Sequence, residues 1–222
     1  MAIYARSLFV AGALSIAPLA AHAAVISNGF FSSSCGSGSF CTYNAGDASI
    51  PGWTIGSGSV DLITGYWQAP LGGGNSINLD GLFQAADINT SMSTIAGHQY
   101  TVTFELSGNP DGDSPIKATR VSAAGFYDDY TFDTSTGNSH GNMMWAAKTF
   151  TFTANGAFTT LDFQSLDAAN SAWGPTIGDI TANDEGAHVA GSRNVPEPAS
   201  FVLFGSGLLA FGFLRRRELK RA

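Results

Sequence analysis

Four tryptophans, Trp53, Trp67, Trp145 and Trp173, together with Tyr66, Tyr127 and Tyr130, are the side chains of this sequence best suited to holding a ligand. A flat aromatic face stacks on the apolar face of a sugar ring while neighbouring Asp, Asn and Gln side chains hold its hydroxyls. Core packing competes with that use, because tryptophan is heavily buried on average, and Trp53, directly after Pro51-Gly52, is read as core. Tyr66 and Trp67 are read otherwise. They follow the run Ser59-Val60-Asp61-Leu62-Ile63 and precede Pro70 and Gly72-Gly73-Gly74. Consecutive side chains of a strand point to opposite faces, so at most one of the two belongs to a core. Tyr66, Trp67 and Trp145, the last after Met143-Met144, are the candidate carbohydrate-binding residues.

Catalysis has little to build on. A triad needs a histidine beside a nucleophile, and His98, His140 and His188 stand in neither a Gly-x-Ser-x-Gly nor a His-Glu-x-x-His setting. A glycosidase needs two carboxylates across the scissile bond, whereas Asp111, Asp113, Asp128 and Asp129 lie in turn-like contexts. The expectation is a non-catalytic protein. Asn109-x-Asp111-x-Asp113 opens like a calcium loop, but Arg120 stands where the closing bidentate Glu is required. Cys35 and Cys41 enclose Gly-Ser-Gly-Ser-Phe. In an exported protein an isolated pair reads as a disulfide over two free thiols, and so short a loop stiffens a local turn.

The elements that must carry these side chains are strands. Tyr100, Val102, Phe104 and Leu106 alternate with Thr101, Thr103 and Glu105; Phe150 and Phe152 alternate with threonines; Leu161 and Phe163 alternate with Asp162 and Gln164. Further strands are expected over 59–64, 76–79, 82–88, 118–123 and 176–181, separated by Gly, Asn, Asp and Pro clusters. That pattern predicts an all-β, antiparallel β-sandwich, most plainly a jelly roll, over residues 24–183, with a small and polar linker over 184–195. Between residues 24 and 195 stand 15 acids against 4 bases, a balance of −11. Phosphate binding depends on neutralisation by Lys and Arg, so nucleic acid is excluded as a partner.

Both ends read as addresses. Arg6, an apolar stretch from Leu8 to Ala21 and Ala21-His22-Ala23 form a signal peptide over residues 1–23. At the other end, Pro196-Glu197-Pro198 precedes the apolar segment 199–214 and then Arg215-Arg216-Arg217. As a helix its sixteen residues rise about 24 Å, and the arginines snorkel to complete a transmembrane span with the basic end in the cytoplasm. An ordinary single-pass anchor has the same outline. Proline, glutamate, proline, short apolar helix and arginine cluster, in that order within the last 30 residues, resemble the PEP-CTERM sorting signal of Gram-negative bacteria. The resemblance implies membrane insertion through the C-terminal helix before processing, recognition by an exosortase with Glu197 as the recognised acid, and release from the inner membrane to the cell surface or an extracellular polysaccharide matrix.

A second resemblance covers the middle. Asn28-Gly29-Phe30-Phe31, Ile50-Pro51-Gly52-Trp53, Ser59-Val60-Asp61-Leu62, Tyr66-Trp67, Ser76-Ile77-Asn78-Leu79-Asp80-Gly81, Tyr100 to Phe104, Gly108-Asn109 and Trp173 to Ile180 follow in the order of the choice-of-anchor C family. That family is similar to the galactose-binding-like jelly rolls of bacterial carbohydrate-binding modules. The resemblance implies polysaccharide binding or organisation and a structural calcium. Ser32 and Gly178 replace the acids usual at their positions, which leaves Asp179 as the candidate metal ligand. A structural or adhesive matrix protein without a specific glycan is the alternative, and a polysaccharide hydrolase stands behind both.

Overall fold

The computed structural model describes residues 26–112 and 114–187. The signal peptide, the linker beyond Ala187, the sorting segment with Pro196, Glu197, Pro198, Arg215, Arg216 and Arg217, its helix 199–214, and Asp113 lie outside the described residues. Within them the chain forms β1 Phe40–Asn44, β2 Thr54–Ser57, β3 Ser59–Ile63, β4 Ser76–Asn78, β5 Asp80–Gly81, β6 Gln84–Ala85, β7 Asp87–Ser93, β8 His98–Gly108, β9 Ile116–Ala123, β10 Phe126–Asp133, β11 Ala146–Thr153, β12 Phe158–Ser165 and β13 Pro175–Ala187. One sheet has the order β1-β3-β4-β13-β8-β11 and the other β10-β9-β12-β7-β2, while β5 and β6 pair as a small hairpin. The ladders are antiparallel, as an all-β sandwich requires.

Period two explains the core. Leu62, Ile77, Ile177 and Leu106 stand in one cross-strand row and are fully buried. Ile88, Val121, Leu161 and Phe163 answer from the other sheet, and Phe104 meets Phe163 edge-on with centroids 5.2 Å apart. Each such side chain contributes about 1.5–3 kcal/mol by leaving water. Trp53 belongs to this core as expected, and its indole N–H donates to the Asn28 carbonyl at 3.0 Å. Cys35 and Cys41 are bridged, with Cα atoms 5.5 Å apart, and pack on the core margin.

Several expected boundaries move. Instead of one strand over 82–88, Leu82 and Phe83 form the β5–β6 turn and the long strand starts at Asp87, because Phe83 takes a left-handed φ of 52° that no strand continues through. The linker expected from Asp184 is still strand up to Ala187, paired with Tyr100, Gln99 and His98. Asp184 explains why. It is buried, and it accepts from the Tyr100 hydroxyl (2.9 Å), the Gly186 N–H (2.7 Å) and faces His98 Nδ1 at 2.9 Å. Burial pushes its carboxyl up, but the Gly186 amide, His98 and Tyr100 outweigh that and hold it below the usual range.

The two outer faces of the sandwich differ. On the first sheet the outward side chains meet loops: Ser76 accepts from the Trp67 indole of loop 64–75, Ser107 donates to the Met143 carbonyl of loop 134–145, and Asn78 donates to the Ala172 carbonyl. Gln68 joins these loops: its N–H donates to His140 O (2.8 Å), its side chain accepts from Met143 N (2.8 Å), and its carbonyl accepts from Trp145 Nε1 (3.1 Å). Beneath them Ile63, Trp67, Met143 and Trp145 form a second apolar cluster. The outer face of the second sheet carries no such cover and is polar.

At one end of the sandwich Asp80 is wholly buried, and neither carboxylate oxygen makes a hydrogen bond of ordinary geometry. Burial pushes its pKa up to about 6, while the Ser165 and Ser171 hydroxyls and the Lys117 ammonium pull down less strongly and Asp167 adds to the rise. Because the folded pKa lies above the unfolded value of 3.8, the native state binds this proton more tightly. Its stabilisation is complete below pH ~4 and is lost as pH rises to ~6, a difference on the order of 3 kcal/mol. Melting followed from pH 4 to 7 is expected to fall for the native protein and to fall clearly less for Asp80→Asn. Parallel curves would refute this account of Asp80.

Candidate functional site

Tyr66 and Trp67 lie in the bend that follows the end of β3 at Ile63, one of them inside and the other outside. Trp67 is the inner one, 6% exposed, with its indole N–H donating to Ser76 Oγ at 3.0 Å. Trp145 is 8% exposed. Neither offers a face to a sugar, and the reading of these two as contact residues gives way to a packing role. The loop folds back over the sheet, and burying two indoles there repays the ordering of both loops.

Tyr66 is the outer one, 38% exposed. Its ring lies 5.3 Å from Phe40, at the start of β1, and 4.5 Å from His140. Phe40 is 46% exposed, so three rings from three separate segments share one surface. Asp111 completes the group. Its Oδ2 accepts from the Tyr66 hydroxyl at 3.1 Å, and its Oδ1 stands 2.6 Å from His140 Nε2. The Asp111 backbone is itself fixed by Asn109 Oδ1, which accepts from its N–H at 3.0 Å. Burial and then Asp111 raise the Tyr66 pKa, so its phenol keeps the proton and donates. The group combines an apolar platform with a carboxylate and an imidazole at its rim. It can stack on a ring and hold hydroxyls.

Sequence reading missed Phe40, Asp111 and His140 as partners of Tyr66, since 45 residues separate Tyr66 from Asp111 and 29 separate His140 from Asp111. The remaining aromatics lie elsewhere. Trp173 packs edge-on to the exposed Phe83 at 6.1 Å, Tyr130 is bonded to the Thr149 carbonyl at 2.6 Å, and Tyr127 lies under the Arg120 guanidinium at 4.4 Å.

Asp179 takes a left-handed φ of 47° at a bulge of β13 and lies against Gly72, where a Cβ would meet its Oδ2 at 1.8 Å. Burial, and to a lesser degree the charge of Asp179, push the Glu105 carboxyl up, against the Leu71 N–H that donates to it at 2.5 Å. Calcium takes six to eight oxygens, and among the described residues no group of three His, Cys, Asp or Glu side chains assembles.

Comparison with known proteins gives two family matches. Residues 24–183 match the family described as "Protein of unknown function (DUF642)", which replaces the choice-of-anchor C reading. Residues 194–217 match the PEP-CTERM protein-sorting motif, as expected from the C-terminal residues, so the chain is an exported, exosortase-sorted protein of the Gram-negative type. Halomucin from Haloquadratum walsbyi is 29% identical over 161 residues, 71% of this chain; the chain spans only 2% of that protein's length. Among solved structures, a family 35 carbohydrate binding module from Clostridium thermocellum is 14% identical with a TM-score of 0.43, covering 65% of this chain and 98% of its own. A similar module from Paenibacillus barcinonensis is 18% identical with a TM-score of 0.38, covering 64% and 97%. With that match running over residues 24–183, well over half of its length, the chain belongs to the DUF642 family.

Proposed function

We propose that this exported protein is a non-catalytic saccharide-binding module that holds extracellular polysaccharide through the surface formed by Phe40, Tyr66, Asp111 and His140. The observation that carries the reading is the Tyr66 ring, exposed between Phe40 and His140 while its hydroxyl is fixed on Asp111. An exposed aromatic held rigidly from behind by a buried Trp67 is pre-organised for stacking, so little entropy is lost on binding. Two further facts agree with it: the sorting motif sends the protein outside the cell, and the acidic domain favours neutral or cationic polymers over polyanions.

The test uses exopolysaccharide purified from the host, immobilised, and the mature protein. Tyr66→Ala is expected to weaken retention roughly tenfold, the loss of one stacking contact, with melting close to the native protein. Equal retention of Tyr66→Ala would overturn the site. No saturable retention of the native protein would leave a purely structural matrix role.

A further inference from the structure

The outer face of the second sheet is built from two cross-strand rows. Tyr127, Ser122, Asp162, Asn89 and Thr54 form one; Asp129, Arg120, Gln164, Asp87 and Ser57 form the other. These side chains alternate with the buried Val121, Ala123, Leu161, Phe163 and Ile88, so strand period alone sends them outward. Every one carries a hydrogen-bonding group. Adjacent strands stand about 4.8 Å apart, comparable to one hexose ring along a polymer, so a chain crossing the strands meets polar side chains at each step.

We infer that this face is a second binding surface, for a polysaccharide carrying free amino groups, with Asp162 and Asp87 receiving the ammonium groups and Tyr127 forming the wall beside them. The inference rests on the saccharide-binding reading for the class of ligand but uses none of the same residues. Charge carries it. Arg120 is the one cationic side chain of the two rows, and it is paired bidentately with Asp129, its Nε and Nη2 donating at 2.7 and 2.8 Å. Asp162 and Asp87 are left without a cation in the rows. Asp87 is held in place by Ser57 and fills the space over Gly56, where a Cβ would come 2.0 Å from its Oδ2. Burial, and then the charge of Asp87, push the pKa of Asp162 up to about 6, the mark of a carboxylate that lacks a counter-charge. A depression of about 380 Å³ opens at this point, lined by Arg120, Ser122, Phe126, Tyr127, Thr160 and Asp162. Tyr127 is 61% exposed with Arg120 stacked on it, so the edge of the depression is aromatic.

Calorimetric titration of the mature protein tests this with four hexamers: β-1,4-glucosamine, its fully N-acetylated form, β-1,4-glucose and α-1,4-galacturonate. The glucosamine hexamer is expected to bind at least tenfold tighter than the acetylated one, and galacturonate not to bind. Asp162→Asn, an isostere that removes the charge and leaves the fold intact, and Tyr127→Ala are each expected to weaken glucosamine binding tenfold or more. Tyr66→Ala is expected to leave it unchanged, which separates this surface from the first. Equal binding of acetylated and free hexamers, or an unaltered Asp162→Asn variant, would overturn the inference. So would an equal loss in Glu185→Gln, which removes an exposed charge on β13 and reports diffuse attraction to the acidic domain.

Discussion

Gly29→Ala is expected to cost more than about 3 kcal/mol and to leave little folded protein at 37 °C. A Cβ at Gly29 would lie 1.9 Å from the carbonyl oxygen of Ile180 and 2.9 Å from its carbon, both backbone atoms that no rotamer change can move. The contact is close because the Ile180 N–H donates to the Gly29 carbonyl at 3.0 Å, tying the first segment to the last strand. Asn28 extends the tie. Its Oδ1 accepts from Ser32 N at 2.6 Å, its amide donates to the Pro51 carbonyl at 2.9 Å, and its own carbonyl takes the Trp53 indole. Displacing residue 29 therefore loosens β13 and Trp53 together. Urea denaturation gives the number, and a loss under 1 kcal/mol would contradict this account of the N-terminal segment.

Trp67→Ala is expected to cost about 3–5 kcal/mol, the range for emptying a buried aromatic site. The indole fills the space between Ile63, Met143 and Trp145, and removing it also leaves buried Ser76 Oγ without the N–H that binds it. Binding is expected to fall too, because Trp67 packs 5.6 Å behind Tyr66 and 6.2 Å from His140. Trp67→Phe keeps a ring there and gives up the hydrogen bond, so it should lose only about 1–2 kcal/mol and retain most of the binding. Thermal melts of both variants beside the retention assay decide it. If Trp67→Ala melts within 1 kcal/mol of the native protein, the loop does not depend on this cluster.

Local pattern revealed what local physics determines. β8, β9, β11, β12 and β13 were legible because apolar and polar residues alternate along each, although the outward residues of β8 and the start of β13 are buried too. β10 was not, because Phe126-Tyr127-Asp128-Asp129 is an edge strand exposed along most of its length, and its adjacent aspartates resemble a turn. Asn28-Gly29 announced a motif without announcing its purpose, which is a backbone contact 151 residues along the chain at Ile180. For the candidate site, alternation told that Tyr66 and Trp67 part company but not which one is wet; that is decided by loop 134–145, whose position depends on Gln68. Trp145 was misread for the same reason. The pairing of Tyr66, His140 and Asp111 comes from tertiary structure and leaves no spacing in the sequence, as does the meeting of Asp87 and Asp162 on neighbouring strands.

Saccharide binding at the Tyr66 surface is the central claim, and residue-resolved titration reaches it most directly. The 15N-labelled mature protein is titrated with oligomers cut from host exopolysaccharide while amide shifts are followed. The account predicts saturable shifts centred on Phe40, Tyr66, Asp111 and His140, absent in Tyr66→Ala. Saturable binding that leaves those four residues unmoved, or no saturable shift at any residue, would contradict it.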